Sequence, residues 1–314
     1  MAELTDAGFD TPITVSGPLR SPAQLLGDQS YDGHASVHDG DTAASLGLTG
    51  APIEAPTHFS QFDPLAVALW GTEWFEQGCI SSHFQTMVVE GEEVQASMTT
   101  TGPRAARIEA HLTDGRPVLA GTASVGPDHP ETELEARLNR LGDPGELFIV
   151  DQLHVGMRQR QERPVSITHA ERNGALYPFS LAEKLECITE RHDWYTPEGA
   201  DSSPWGRAVV PTEMISVLVH KAGPDLPVRR PSLGLFLDLE VRLISGPVFV
   251  DQAYVVEHEI VGLGQSRRTE SYWTRSTVTD AERGVVAARV LLHSGVFKES
   301  YPEYPRERLS AENR

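Results

Sequence analysis

Two stretches of the chain repeat each other at a constant spacing. Pro56 matches Pro211, Thr57 matches Thr212 and Gly91 matches Gly246, and each pair is 155 residues apart. The match runs through an apolar helical segment and into a strand-like segment without a gap. Because this spacing is close to half of the 314 residues, the repeat predicts one structural unit that occurs twice.

Each unit reads as one helix followed by an antiparallel meander. Apolar residues recur at steps of three and four between Thr57 and Trp70, and the second copy, from Thr212 to Ala222, has the same pattern. Asp63-Pro64 would also suit a helix start. The uninterrupted second copy favours a first helix that begins near Thr57 and bends. Strands are predicted at about 79–89, 92–101, 104–113 and 117–125, and at 233–244, 247–261, 265–278 and 284–296.

An antiparallel sheet with one apolar face must cover that face, and a single apolar helix can do so. Two such units could join edge to edge and pair strands that would otherwise be exposed. The sequence therefore predicts an α+β fold with a first unit at 1–130, a charged helical linker at 131–145, and a second unit with a C-terminal arm at 146–314. A further strand pair is predicted at about 147–157 and 165–172.

Composition narrows the classes of partner. A net charge of −19 repels phosphate backbones and anionic lipid, which argues against nucleic acid and membrane surfaces. Only Cys79 and Cys187 are present, so a disulfide framework is not expected. The first residues lack the features of a signal peptide, and no apolar run is long enough for a membrane span. These features predict a cytoplasmic protein.

The segment from Val37 to Ile53 carries a family resemblance. It has His38 ahead of an acidic, alanine-containing stretch, then a glycine and aliphatic step, then Pro52-Ile53 leading into the helix. It resembles the MaoC-like, R-specific enoyl-CoA hydratase branch of the hot-dog superfamily. With the repeat, residues 20–300 look like a tandem, or double, hot-dog. The resemblance implies a hydratase, a dehydratase or a thioesterase that acts on acyl thioesters at the seam between the units.

The chain departs from the motifs of that branch. R-specific hydratases carry an aspartate five residues before the histidine, whereas Gly33 stands five before His38 and Asp32 six before it. In double hot-dog dehydratases, a histidine of the first unit works with an acid just after a proline at the start of the second helix. Here Glu213 follows Pro211-Thr212, and the nearby histidine is His58.

The main predicted site therefore pairs His58 with Glu213. If the units pair about a pseudo-twofold axis, both helix starts lie along the seam, where free backbone N–H groups can hold a thioester oxygen. A histidine and a glutamate can move the two protons of a hydration when burial tunes them. Thr57, Thr212, Trp205 and Gly206 are predicted substrate contacts at these helix starts. The alternative is structural: His58 satisfies a local carbonyl, and Glu213 caps its helix.

A competing site comprises His38 with Asp32, together with His34 and Asp39. These residues form either a displaced hydratase pair or an ordinary turn. No third metal ligand is evident, so neither a metal nor another cofactor is predicted. We predict a hydratase or dehydratase-like lyase with a small-molecule acyl substrate. The sequence leaves open a thioesterase, a non-catalytic acyl-binding protein, coenzyme A as the carrier, and a homodimer.

Overall fold

The computed structural model describes residues 11–31, 34–187, 190–221, 223, 225–305 and 307. Asp32 lies outside this described part. The α-helices are α1 (Gly40–Ser45), α2 (Asp63–Trp70), α3 (Glu73–Gln77), α4 (Glu133–Asn139), α5 (Leu181–Cys187) and α6 (Thr212–His220). None of the helices in these ranges is long and apolar enough to cross a bilayer.

The strands form one large antiparallel sheet and one short hairpin. The hairpin pairs β2 (Ser30–Tyr31) with β3 (His34–Ala35). The other strands are β1 (Thr14–Ser16), β4 (Gly78–Phe84), β5 (Val94–Gly102), β6 (Ala105–Leu112), β7 (Pro117–Val125), β8 (Arg158–Arg160), β9 (Gly234–Leu243), β10 (Tyr254–Gln265), β11 (Thr269–Asp280) and β12 (Val286–Phe297). Their order in the ten-stranded sheet is β1-β5-β6-β7-β4-β9-β12-β11-β10-β8.

The two units join edge to edge through β4 and β9, as the repeat predicted. These strands pair antiparallel from Cys79 opposite Arg242 to His83 opposite Asp238. His83 and Asp238 are themselves 155 residues apart, so this pair joins equivalent positions of the two copies. The pseudo-twofold axis therefore passes through the β4–β9 seam, and no edge is left exposed there.

The two central helices differ more than the repeat suggests. The first copy begins with a 3-10 helix, Ala55–Gln61, and the α-helix restarts at Asp63. Pro64 explains this break, because proline has no N–H for an interior helical hydrogen bond. A 3-10 helix followed by a separate α-helix therefore replaces the predicted bent helix from Thr57, and the α-helix starts at Asp63, as the alternative had it. The second copy is a single α-helix, with eight buried residues from Thr212 to Val219.

The charged linker is helical and docked on the seam. Leu134 of α4 is buried against Trp273 and Leu291. Thr132 donates to Glu240 at 2.6 Å, and Arg137 donates to Asp238 at 2.7 Å. One face of α4 thus covers the outer side of β4 and β9.

The predicted strand pair that opens the second unit is wrong in its details. Residues 147–157 are irregular, and residues 165–172 contribute only one bridge, from Val165 to Tyr254. The backbone N–H groups of Phe148, Ile149 and Val150 donate to the Glu270 carboxylate instead of to a neighbouring strand. A side chain therefore satisfies the donors that a strand would have paired.

Candidate functional site

A cavity of about 680 Å³ opens beside the central helices and is bounded by both units. This volume lies within the range typical of small-molecule sites. The first unit contributes the segments around Gln29, His38 and Glu54, with His58. The second contributes the end of α6 and the inner faces of the strands that follow.

The cavity exists because α6 is too short for its sheet. A nine-residue helix is about 14 Å long at 1.5 Å per residue. The twelve-residue strands β10 to β12 are about 40 Å long. The helix ends at His220, and the inner face of the sheet beyond it is left to line the cavity.

His38 reaches this cavity from a rigid loop. The next residue, Asp39, caps α1 by accepting from the Thr42 backbone N–H at 2.8 Å. The His38 Nδ1 lies 2.7 Å from the Pro52 carbonyl oxygen, so Nδ1 carries the proton and Nε2 is left for the cavity. Burial lowers the pKa of His38 below its ordinary value of 6.5, against the opposing effect of the bond to Pro52. At neutral pH this imidazole is uncharged and can accept a proton.

Glu54 is a buried carboxylate in the cavity wall, and a buried lysine holds it. Lys184 Nζ of α5 donates to Glu54 Oε2 at 2.9 Å and to Thr57 Oγ1 at 2.7 Å. Burial alone would lower the pKa of Lys184, but Glu213 and Glu54 raise it above its ordinary value. Lys184 therefore carries a positive charge that balances the carboxylate, and both groups influence the pKa of His38.

His58 lines the same cavity as an uncharged hydrogen-bond donor. Its Nδ1 lies 3.2 Å from Gln61 Nε2. With the Gln61 amide in this orientation its nitrogen donates to Nδ1, which leaves the His58 proton on Nε2. Burial and the nearby Lys184 lower the pKa of His58 to about 4. The neutral ring can donate from Nε2 without becoming a cation.

A third histidine, His220, enters from the end of α6. Its Nδ1 lies 2.7 Å from the Ser216 carbonyl oxygen within the same helix. Burial lowers its pKa, and Glu54 opposes that shift. His220 therefore presents a second neutral Nε2 to the cavity, which it lines together with His38 and Glu54.

Glu213 lies in the interior, outside the cavity wall. It is 1% exposed, and its Oε1 is 3.4 Å from Lys184 Nζ. Neither carboxylate oxygen has a hydrogen-bond partner among the described residues. Burial raises the pKa of Glu213 to about 8, against the attraction of Lys184. The structure thus joins Glu213 to the lysine behind Glu54, and the pairing of His58 with Glu213 stays a prediction.

The four predicted substrate contacts also lie outside the cavity wall. Thr57 accepts the bond from Lys184, and Thr212 donates to Asp63 Oδ1 at 2.7 Å. Trp205 donates to Glu76 Oε1 at 3.1 Å, and Gly206 has a φ of +62° in the turn that follows. In this structure these groups are occupied by protein contacts.

The start of α6 is equivalent by the repeat to the start of the first central helix, beside which the cavity opens. At α6 this position is closed by protein side chains. Asp63 of the first unit accepts hydrogen bonds from Trp74 Nε1 at 2.8 Å and from the Tyr195 hydroxyl at 3.0 Å. It also accepts from the Thr212 side chain and, at 3.4 Å, from the Thr212 backbone N–H. The expected free N–H groups at this helix start are therefore partly satisfied by Asp63, and only one of the two equivalent seam positions remains open.

Asp63 should accordingly be important for stability. We expect Asp63→Asn to lower the free energy of unfolding by about 2–4 kcal/mol, because buried donors lose a charged acceptor. Thr212→Val, which removes one of those bonds, should cost about 1 kcal/mol. Urea denaturation of both variants measures the difference. Equal stability of Asp63→Asn and the wild type would contradict this role.

Three residues of the site, Glu54, His220 and Lys184, were not predicted from the sequence, which contains only weak signals for them. Glu54 lies two residues before Pro56, a matched position of the repeat, and His220 lies in the predicted second helix. Lys184 lies in a segment with no counterpart in the repeat, so no pattern connected it to the site. No group of three or more metal-ligating side chains gathers within the described ranges.

Two solved structures share this architecture over almost the whole chain. A protein described as a MaoC domain dehydratase, from Chloroflexus aurantiacus J-10-fl, has a TM-score of 0.55 at 13% identity, over 94% of this chain and 99% of its own. A conserved hypothetical protein from Mycobacterium tuberculosis with a double hot-dog fold has a TM-score of 0.56 at 13% identity, over 92% of this chain and 97% of its own. This chain is a double hot-dog.

The predicted α+β tandem hot-dog fold is thereby confirmed, with each central helix wrapped by its part of the sheet. No protein-family model matches the sequence, and no curated protein matches it. At 13% identity the likeness establishes the double hot-dog fold, and the chemistry has to be argued from the cavity of this chain.

Proposed function

We propose that this double hot-dog protein is a hydratase or dehydratase, a lyase that adds or removes water across the C=C bond of an acyl thioester. The position of the His38 ring carries the proposal. Its Nδ1 is bound to the Pro52 carbonyl, and its neutral Nε2 is left for a cavity that also contains Glu54 and His58. Those three groups supply a base, a fixed charge and a neutral donor.

In the hydration direction, His38 Nε2 accepts a proton from water as the water oxygen bonds to the β-carbon. The electrons of the C=C bond move towards the thioester oxygen, which becomes enolate-like. The His38 imidazolium then returns a proton to the α-carbon, so one water is added and the enzyme is unchanged. Removal of water follows the same steps in reverse.

His58 is the proposed donor to the enolate oxygen. A neutral imidazole donor stabilises developing negative charge without first protonating the substrate. Glu54, held by Lys184 at 2.9 Å, orients the water and stabilises the His38 imidazolium. In this assignment His38 and His58 keep a role in the chemistry. Glu54 replaces Asp32 as the acidic partner of His38, and Glu213 acts through Lys184.

A panel of short and medium enoyl and β-hydroxyacyl thioesters tests the reaction. Absorbance of the conjugated C=C bond and release of free thiol are followed together in the same sample. We expect unsaturation to be lost from the enoyl compounds and gained from the hydroxyacyl compounds, with no thiol released. Thiol release at the same rate would identify a thioesterase, and no turnover with any compound would contradict catalysis on acyl thioesters.

A further inference from the structure

The inner part of the cavity is polar where the fold would normally be apolar. Alternate residues of β10, β11 and β12 face the central helix, and Tyr254, Val256, Val278 and Val290 at such positions belong to the main core. Beyond the end of α6, polar side chains appear at some of the inward positions, beside apolar ones such as Leu292.

The groups that line this recess are His258 of β10, Tyr272 and Thr274 of β11, and Ser294 of β12. Thr274 lies opposite Ile260 and Leu292, while Tyr272 lies directly opposite Ser294. We refer to these four residues as the polar recess. His258 and Thr274 are only 3% and 6% exposed, so the cavity is the space that these side chains face.

His258 has an unused polar atom. Its Nδ1 lies 2.9 Å from the Ser276 hydroxyl, and its buried Nε2 has no hydrogen-bond partner among the described residues. Polar groups buried without a partner cost free energy, and binding sites use such groups to recognise matching groups of a ligand. A hydroxyl suits the recess best, because it can donate to or accept from either tautomer of His258.

From this recess we infer that the acyl group of the substrate carries a hydroxyl group remote from the thioester. The inference rests on the proposed function for the acyl part of the ligand. The reacting end lies at His38, Glu54 and His58 on the side of the first unit, and the chain extends past His220 into the second unit. There its hydroxyl bonds to His258 Nε2 and to the Thr274 hydroxyl in the polar recess.

The inference is tested by binding of unreactive ligands, so that turnover is not required. A saturated decanoyl N-acetylcysteamine thioester is compared by calorimetry with the same compound carrying a hydroxyl near the far end of its chain. We expect the wild-type protein to bind the hydroxylated compound about tenfold more tightly, the size of one well-formed hydrogen bond. Thr274→Val, which keeps the shape of the side chain, should remove most of that preference.

Thr277→Val is the matched control, because Thr277 lies on the same strand but on its opposite face. It should keep the tenfold preference. Equal affinity of the wild type for the two compounds would overturn the inference, as would failure of both to bind, or an equal loss of preference in the control. A protein that hydrates enoyl thioesters but shows no preference would keep the proposed function and lose this inference. A protein that prefers the hydroxylated compound but hydrates no enoyl thioester would keep this inference and lose the proposed function.

Discussion

His38→Ala should lower kcat by about a thousandfold, because general acid–base groups contribute about 10² to 10⁴ to a rate. His38 acts on the proton in motion and makes no strong contact with the bound ground state, so KM should change little. Steady-state kinetics with an enoyl thioester measures both constants. His154→Ala, at an exposed histidine outside the cavity wall, is the control and should keep the wild-type kcat.

The pH dependence sharpens this prediction. Burial lowers the pKa of His38 from its ordinary value of 6.5, so the basic form persists to a lower pH than it would for an exposed histidine. The rate of hydration should therefore stay level through neutral pH and fall only as the medium becomes more acidic than 6.5. Loss of that acidic limb in His38→Ala would support the assignment. An unchanged profile with an unchanged kcat would remove His38 from the mechanism.

Lys184→Met should strongly destabilise the protein. Lys184 is buried between Glu54 and Glu213, and methionine would leave the Glu54 carboxylate buried without its partner. Breaking a buried ion pair from one side costs about 3–5 kcal/mol. We therefore expect the free energy of unfolding at neutral pH to fall by about 3 kcal/mol, as measured by urea denaturation.

Two further variants separate charge from packing. Lys184→Met combined with Glu54→Gln should recover much of the lost stability, because both charges are then gone, but it should not recover turnover. Glu213→Gln should be close to neutral or stabilising at pH 7. The pKa of Glu213 is raised from its ordinary value of 4.5 to about 8, so the protonated carboxyl is favoured in the folded state. Its stabilising effect is complete below pH 4.5 and is lost as the pH rises to about 8. A strong loss of activity in Glu213→Gln would instead favour the original pairing of His58 with Glu213.

Much of the fold followed from the repeat and from strand periodicity. The constant spacing located the two central helices. Strand patterns located the eight long strands to within about four residues, except that β4 ends at Phe84 and not at 89, and β10 begins at Tyr254 and not at 247. The joining of the units through β4 and β9 also agreed with expectation, because a sheet edge has to be paired or covered. The region from 147 to 172 did not agree with the predicted strand pair. There the Glu270 carboxylate accepts hydrogen bonds from backbone N–H groups, and residue patterns do not reveal such a contact.

The site was less predictable, because the two helix starts that the repeat makes equivalent differ in the structure, and because one key contact joins residues that are far apart in the chain. Sequence comparison placed chemistry at both helix starts, but the structure fills the start of α6 with Asp63, Trp74 and Tyr195 and opens the cavity at the other end of that helix. His38 and His58 were singled out from the sequence because each lies beside a recognised motif, and their roles stay predictions. Lys184 was not, because its place beside Glu54 depends on a contact across 130 residues of chain.

The central claim is that water adds to the C=C bond at His38. Turnover of an enoyl thioester in water enriched in oxygen-18, followed by mass spectrometry of the product, tests it most directly. The account predicts one heavy oxygen on the β-carbon of an intact thioester, at a rate that His38→Ala reduces. Heavy oxygen in a released carboxylate, with the C=C bond retained, would contradict it.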